Sequence, residues 1–308
     1  MPCYSLDSAV MPPSLQEQMK RCVLPLAATT GQGEWIGLGT AFVVGVADGK
    51  TAFLLTAAHS LHYATTLDPY LRRSAASPLP GISRAAPPQL GTTKVYVILS
   101  GAPPARMDMA WWRDDSDIAL LSVTLSDDAG TAFDVRLPID STPAIPVGTS
   151  VSAFGYPSFR SERVEEDYAE QRFRARVSFD FEGRAGEVVE HVEAHGIHSG
   201  AGVLISCPLD SGMSGGPVVE SRDGRIVARA VVGSDLADGP RLAVGSGARA
   251  FAGLLLPSLG IKAAYFDVYT EATGSMQDPT ILDLVRGGVI EDLGVEASGE
   301  IYRTAPDS

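Results

Sequence analysis

The strongest constraint on the fold is a cadence of short β runs, each closed by turn residues. The first series is "CVLPLAATT" (22–30), "WIGLGTAFVVGV" (35–46), "TAFLLT" (51–56), "KVYVIL" (94–99) and "IALLSVTL" (118–125). The second is "SVSAFGY" (150–156), "FRARVSFDFEG" (173–183), "GEVVEHVEA" (186–194), "GVLISC" (202–207), "GPVVES" (216–221) and "RIVARAVVG" (225–233). Branched and aromatic residues favour the pleated conformation, and little helical pattern separates the runs, so the chain predicts an all-β sandwich or barrel rather than a parallel βαβ sheet. The two series meet near "DVRLPIDSTPAIPVG" (134–148), where three prolines mark a joint. Two barrels are expected, over about 21–135 and about 140–247.

Around these lie three other kinds of segment. Residues 1–20, with Pro2, Pro12 and Pro13, read as an N-terminal arm carrying a short helical stretch, "SLQEQMKR" (14–21). "SAASPLPGISRAAPPQLG" (74–91) is low in complexity and reads as a surface loop inside the first series. "ARAFAGLLLPSLG" (248–260) predicts a C-terminal helix over about 248–259, packed on the second barrel; residues 261–308 form an extension with no assigned role. There is no internal repeat.

Composition narrows the partners. In 308 residues, 45% hydrophobic content supports a proper core. A formal charge of −13 argues against nucleic acid and anionic membrane surfaces, which attract clustered Lys and Arg. No apolar run approaches the roughly 20 residues that span a bilayer; the best, at 250–260, is broken by Pro257. "MKRCVLPLAATTG" (19–31) resembles a secretory leader only weakly and reads better as a first strand. Cys3, Cys22 and Cys207 leave one thiol without an intramolecular partner and show no zinc or redox spacing, which fits a reduced, cytoplasmic compartment. No cofactor or metal is expected.

One loop carries chemistry. "DSGMSGGPVV" (210–219) sets Gly212, Gly215 and Gly216 around Ser214 and runs into a strand. It reads either as a tight turn whose glycines supply angles other residues avoid, or as a nucleophile loop whose N–H groups converge on one point. A serine hydroxyl needs an imidazole to take its proton and a carboxylate to orient that imidazole. The five histidines are His59, His62, His191, His195 and His198, all before Ser214. That excludes the serine–acid–histidine order of α/β-hydrolases, although "GMSGG" matches their elbow. The acid–histidine–serine order would need Asp7 or Asp48, neither in a parallel-sheet context. Histidine, aspartate, serine remains. "TAFLLTAAHS" (51–60) runs a strand into His59, and "DDSDIALLSV" (114–123) places Asp117 at the mouth of another.

With "GTAFVV", "LTAAHS", "SDIALLSV", "FGYP" (154–157) and "SGMSGGPVV" in this order, the chain resembles the trypsin/chymotrypsin-like serine endopeptidases over about residues 20–260. It is most like the bacterial branch of glutamyl endopeptidases and high-temperature-requirement proteases, without a recognisable PDZ domain. The resemblance implies a double six-stranded antiparallel β-barrel with the site between the barrels. It implies His59 as base then acid, Asp117 as its orienting carboxylate, Ser214 as nucleophile, and the N–H groups of Gly212 and Ser214 as oxyanion hole. It favours His59 over His62, and Asp117 over Asp114 and Asp115.

The chain departs from relatives in informative places. Met213 replaces the aspartate that pairs with a new N-terminus in digestive relatives, so activity without N-terminal cleavage is expected. Pro208 stands where trypsin-like enzymes keep an acid, with Asp210 nearby as an exposed turn residue; Ala230 stands where glutamyl endopeptidases keep a histidine. The edge of "AVVGS" (Ala230, Val231, Val232, Gly233 and Ser234) is expected to pair with an extended protein or peptide substrate. "HVEAHGIH" (191–198) would stack imidazoles on a helix, but flanking valines make it strand and loop, so no metal site is expected. "WW" (111–112) reads as packing. The rival to an enzyme is a protease-shaped binding, scaffold or sensor module, coupled to a regulatory partner through the arm or the extension; it is disfavoured because all three catalytic residue types are present.

Overall fold

The structure is a computed structural model. It describes residues 13–30, 34–47, 49–67, 82–85, 94–113, 117–125, 133, 135–142, 145–167, 172–192, 201–207, 209–222, 224–235, 250–255 and 281–294. After helix α1 (Pro13–Lys20) come β1 (Val23–Thr29), β2 (Trp35–Ala47), β3 (Thr51–Ala57), helix α2 (Ala58–Leu67), β4 (Ile82–Ala85), β5 (Lys94–Val97), β6 (Ala105–Arg113) and β7 (Ile118–Thr124). The second half holds β8 (Ser150–Asp167), β9 (Arg172–Val192), β10 (Gly202–Ile205), a 3-10 turn at Ser211–Met213, β11 (Pro217–Arg222), β12 (Arg225–Asp235) and β13 (Ala250–Leu254). Helix α3 (Ile281–Arg286) follows.

The strands form two antiparallel six-stranded barrels. In the first the order is β6-β5-β1-β2-β3-β7, and a β7–β6 pairing closes the ring, with β4 added outside on β6. The second closes as β10-β13-β12-β11-β8-β9. This is the chymotrypsin-like double barrel that the motifs imply. Phe42, Phe53, Leu54, Leu55, Trp112 and Leu120 are fully enclosed in the first core, while Val151, Val203, Val218 and Ala252 fill the second. Six of the seven residues of β3, and of β7, are buried. Those strands read as unbroken apolar runs because both their faces are covered.

Three expectations change. The helix expected over 248–259 is instead strand at Ala250–Leu254, pairing antiparallel with β10 and β12. A ring of six needs that sixth strand, and a short apolar run does not distinguish strand from helix by its period. Ile82–Ala85, inside the stretch read as a surface loop, is β4, paired with Arg113 to Ala110 of β6. β6 itself went unread, although Ala105, Met107 and Met109 alternate with exposed Arg106 and Asp108. Trp111 and Trp112 lie on it, buried in the first core as expected.

The runs at 173–183 and 186–194 are one strand, β9, and β8 likewise continues to Asp167. Beyond the barrel these two pair with each other as a ribbon, from Ser158↔Asp180 to Asp167↔Arg172. Its register sets Glu162 opposite Arg176, Glu165 opposite Arg174 and Asp167 opposite Arg172. Glu162 and Arg176, both exposed, are a pair of the kind that contributes roughly 0.2–1 kcal/mol and disfavours a slip. The ribbon lies on the first barrel: Ser161 Oγ donates to Trp35 O (2.9 Å), and Phe159 takes the space that a side chain at Gly37 would need.

The segment after α3 ties the inter-barrel linker down. Ile139 N–H donates to Glu291 O and Leu293 N–H to Ile139 O (both 2.9 Å), while Ile290 bridges to Gly45 of β2. Asp140, fully buried, is ion-paired to buried Arg229 and to Arg222. Burial works against its charge, but hydrogen bonds from Thr142 and the nearby arginines hold its carboxyl below the usual range. Part of the C-terminal extension is therefore built into the fold.

Candidate active site

His59 and Asp117 are brought together by sheet register. β3 and β7 pair with Ala57 opposite Ile118, so the residue that follows the β3 end by two and the one that precedes β7 fall side by side. His59 Nδ1 lies 2.8 Å from Asp117 Oδ2; the His59 N–H donates to Asp117 Oδ1 (2.9 Å) and the Ala58 N–H to Asp117 O (3.1 Å). Because the ring nitrogen faces a carboxylate, Nδ1 carries the proton and Nε2 is left as acceptor. The Asp117 side chain is 17% exposed against 45% for His59, so the carboxylate is shielded while the imidazole meets solvent.

Ser214 arrives from the other barrel, directly after the 3-10 turn. It is 8% exposed, and its hydroxyl donates to Gly233 O (3.2 Å). The structure shows no hydrogen bond between Ser214 and His59. Their two segments are nevertheless packed together: the Thr40 N–H donates to Ser214 O (2.8 Å), and a side chain at Gly215 would fall 2.7 Å from Ala57 N, two residues before His59.

The glycines of the loop are required for two different reasons. Gly215 has φ +86, a conformation that residues with a Cβ avoid. At Gly212 and Gly216 close approach decides: an added Cβ would lie 2.3 Å from Tyr156 O at the first and closer still to Phe154 O at the second. Met213 between them is fully buried in the second core.

Thr40 is a residue whose role went unread within "GTAFVV". Fully buried, it donates its hydroxyl to Gly212 O (2.8 Å) and accepts from the Tyr156 N–H (3.0 Å), while its own carbonyl accepts from Thr56 Oγ1 (2.7 Å). Gly39 beside it leaves room for Ser214 O, which would sit 2.6 Å from a Cβ there. One side chain thus fixes the nucleophile loop to the first barrel.

A family model described as a trypsin-like peptidase domain matches residues 39–228, more than half of the chain. The chain belongs to the trypsin-like peptidase family. It is a serine endopeptidase. No curated protein matches it. Among solved structures it is similar to an inactive serine-to-alanine form of Rv3671c from M. tuberculosis H37Rv, with 16% identity, 80% of this chain and 90% of that one covered, and a TM-score of 0.43. The HtrA-type protease AlgW with a decapeptide gives 12% identity, a TM-score of 0.44 and coverage of 81% and 65%. Protease Anisep from Arthrobacter nicotinovorans gives 13%, a TM-score of 0.40 and coverage of 76% and 90%.

The other residues singled out in this peptidase divide as follows. Asp210 is exposed and ion-paired to Arg184 (3.2 Å), with its carbonyl accepting the Met213 N–H. Ala230, Val231 and Val232 do not offer a free edge: Ala230 and Val231 pair with β11 on one side and β13 on the other, and Val232 pairs with Ala252 of β13 and donates its N–H to Gly216 O. Their backbone groups are spent on closing the barrel. In the pairing with β13 the register breaks between Val232 and Asp235, where Gly233 lies. His62 sits on α2 and packs edge-on to Trp112, 5.2 Å between ring centroids. His191 is on β9; Asp114, Asp115, His195, His198 and Pro208 lie outside the described residues. Among the described residues no group of three His, Cys, Asp or Glu side chains could hold a metal, and no helix is long and apolar enough to cross a membrane.

Proposed function

We propose that this peptidase cleaves protein or peptide chains through His59, Asp117 and Ser214 and an acyl-enzyme intermediate. What carries the reading is the His59–Asp117 pair, whose geometry leaves Nε2 unprotonated on the barrel against which the Ser214 loop packs. The reaction requires the Ser214 hydroxyl to leave Gly233 O for that nitrogen, and resting-state catalytic hydrogen bonds are commonly open and form only with substrate bound. As His59 accepts the hydroxyl proton, the oxygen bonds to the carbonyl carbon; the same proton passes to the amine nitrogen as the C–N bond breaks. A water, deprotonated by His59, then bonds to the acyl carbon, and the proton passes from His59 to Ser214 Oγ as the ester C–O bond breaks and the acid leaves. The developing oxyanion is held by the N–H groups of Gly212 and Ser214, each donor worth on the order of 10²–10³ in rate.

An extended substrate pairs on its acyl side with the edge at Gly233 to Asp235, beyond the doubly paired part of β12. Buried Met213 leaves no charged partner for a new N-terminus, so activity needs no N-terminal cleavage. Cys22 and Cys207, both buried free thiols, fit a reduced compartment. A fluorophosphonate probe tests the core of the reading: the parent protein labels and Ser214→Ala does not. Failure of the full-length protein to label, with labelling gained on trimming residues 1–12, overturns activation-free catalysis. Equal labelling of Ser214→Ala overturns the nucleophile.

A further inference from the structure

Between the ribbon and the first barrel lies an open cleft of about 780 Å³, walled by Trp35, Leu99 and Ala102 on the barrel side and by Val164, Val177 and Phe179 on the ribbon. Its lining is mainly apolar, and Val164 is 55% exposed, a branched aliphatic side chain held in solvent on a strand otherwise patterned with charge. Trp35 is only half-buried and rests against Tyr96 with ring centroids 5.2 Å apart. Nothing in the catalytic geometry uses this surface.

Two strands run from the nucleophile to the cleft. On β2, Thr40 bonds Ser214 O and Trp35 lines the cleft, five residues away, or roughly 16 Å of strand. On β8, Tyr156 O packs on Gly212, and the strand continues through Phe159 to Val164. The side of the scissile bond that reaches the cleft follows from the chemistry. His59 must hand its proton to the leaving amine, so that half of the substrate lies over the barrel that carries His59. That barrel contains β2, whose Thr40 N–H holds Ser214 O, whereas β12, with the Gly233 edge that the Ser214 hydroxyl meets, belongs to the second barrel.

We propose that the cleft is a remote substrate-binding site for the leaving half of an extended polypeptide, taking an apolar side chain about five residues beyond the scissile bond. The proposal rests on the catalytic reading above and adds a substrate class to it: unfolded or extended chains with an aliphatic or aromatic residue at that distance. The occupant is a substrate chain because β2 and β8 each run from a residue that touches the catalytic loop, Thr40 and Tyr156, to a residue that lines the cleft, Trp35 and Val164. An extended chain advances about 3.3 Å a residue, so five residues match the span. Burying one such side chain supports about a tenfold preference.

The test uses quenched-fluorescence peptides identical up to the scissile bond, with Leu or Asp placed three to seven residues after it. A small ester that ends at the cleaved bond serves as control. The expected result is a kcat/KM about tenfold higher for Leu than for Asp near the fifth position. In Val164→Asp and Ala102→Glu that ratio falls to about one, with ester hydrolysis unchanged. A second arm needs no turnover: peptides matching the leaving half, with Leu at the fifth position, shift Trp35 fluorescence in Ser214→Ala and lose affinity in Ser214→Ala/Val164→Asp. Position-independent cleavage, an unchanged ratio in the variants, or no binding in the second arm overturns the cleft. Loss of ester hydrolysis and probe labelling in the parent, with the binding arm intact, overturns the catalytic reading instead.

Discussion

Asp117→Asn is the most exacting perturbation of the proposed mechanism, because the two carboxylate oxygens have separate duties. Oδ1 accepts the His59 N–H and Oδ2 faces His59 Nδ1. An asparagine must put its single oxygen opposite one of these donors and its NH2 opposite the other. Facing the NH2 to the backbone N–H would oppose two donors in a site only 17% exposed, where an unmet donor costs about 1–3 kcal/mol. The ring can adapt, since moving its proton from Nδ1 to Nε2 turns Nδ1 into an acceptor. The NH2 therefore faces the ring, and Nε2 becomes protonated. It can then no longer take the Ser214 proton. The expected loss is about 10⁴ in kcat, or roughly 5 kcal/mol of barrier, with KM little changed. Steady-state kinetics on a small ester measures it, and a thermal melt within a few degrees of the parent shows that the fold is kept. A variant that keeps kcat within tenfold of the parent would refute Asp117 as the orienting group.

Thr40→Val removes the hydroxyl that serves Gly212 O and the Tyr156 N–H, leaving two buried groups unmet. A loss of about 2–4 kcal/mol in stability is expected from urea melts, with kcat falling further than KM rises because the loop is freed. Asp140→Ala removes the fully buried carboxylate that pairs with buried Arg229, which keeps the partly exposed Glu220; a cost of about 3–5 kcal/mol should lower Tm by about 5–8 °C, and a fall under about 2 °C would contradict the ion pair's role. At Asp292 burial raises the carboxyl above its ordinary 3.8, so the folded state holds that proton more tightly than the unfolded chain; its stabilising contribution is full below pH 3.8 and is lost as pH rises through the folded value. Asp292→Asn, which keeps an oxygen for the Ser141 and Gly294 N–H groups, should melt higher than the parent at pH 7 and converge with it in acid.

What the sequence made legible follows from which interactions are local. His59 and Asp117 could be read because each is positioned by the end of an apolar strand, and strand ends are visible as the point where hydrophobic pattern meets turn residues. β13 could not, because Ala250–Leu254 is held by partners on β10 and β12 that are remote in sequence, and its small residues fit either period. The ribbon was cut short for a different reason. Past Pro157 the β8 sequence "SFRSERVEED" carries little apolar alternation, the signal for a half-buried strand, so its continuation to Asp167 went unread, whereas β9 across from it alternates Ala175, Val177, Phe179 and Phe181 with Arg176, Ser178 and Asp180 and reads as strand. The same cause misplaced the substrate edge. Ala230 to Val232 look like an exposed edge in sequence, and only the closure of the barrel shows that their backbone groups are already spent.

The catalytic residues come from two barrels, so the gap between His59 and Ser214 is set by whatever fixes one barrel on the other. β2 is the common element. At its start Trp35 O accepts from Ser161 of the ribbon; at its middle Gly39 and Thr40 hold the Ser214 loop; at its far end Gly45 pairs with Ile290 of the C-terminal segment. Each contact needs close backbone approach, and two fall at glycines: a Cβ would sit 2.6 Å from Ser214 O at Gly39 and 2.6 Å from Val289 O at Gly45. The C-terminal segment also grips the linker at Ile139, which bridges in turn to Ala228 of β12. The second barrel is thus tied to β2 on one side through the nucleophile loop and on the other through the linker and residues 290–293. A shift of β2 along its length would be felt at the remote cleft, at the nucleophile and at the C-terminal segment together, because packed interiors transmit displacement rather than absorb it.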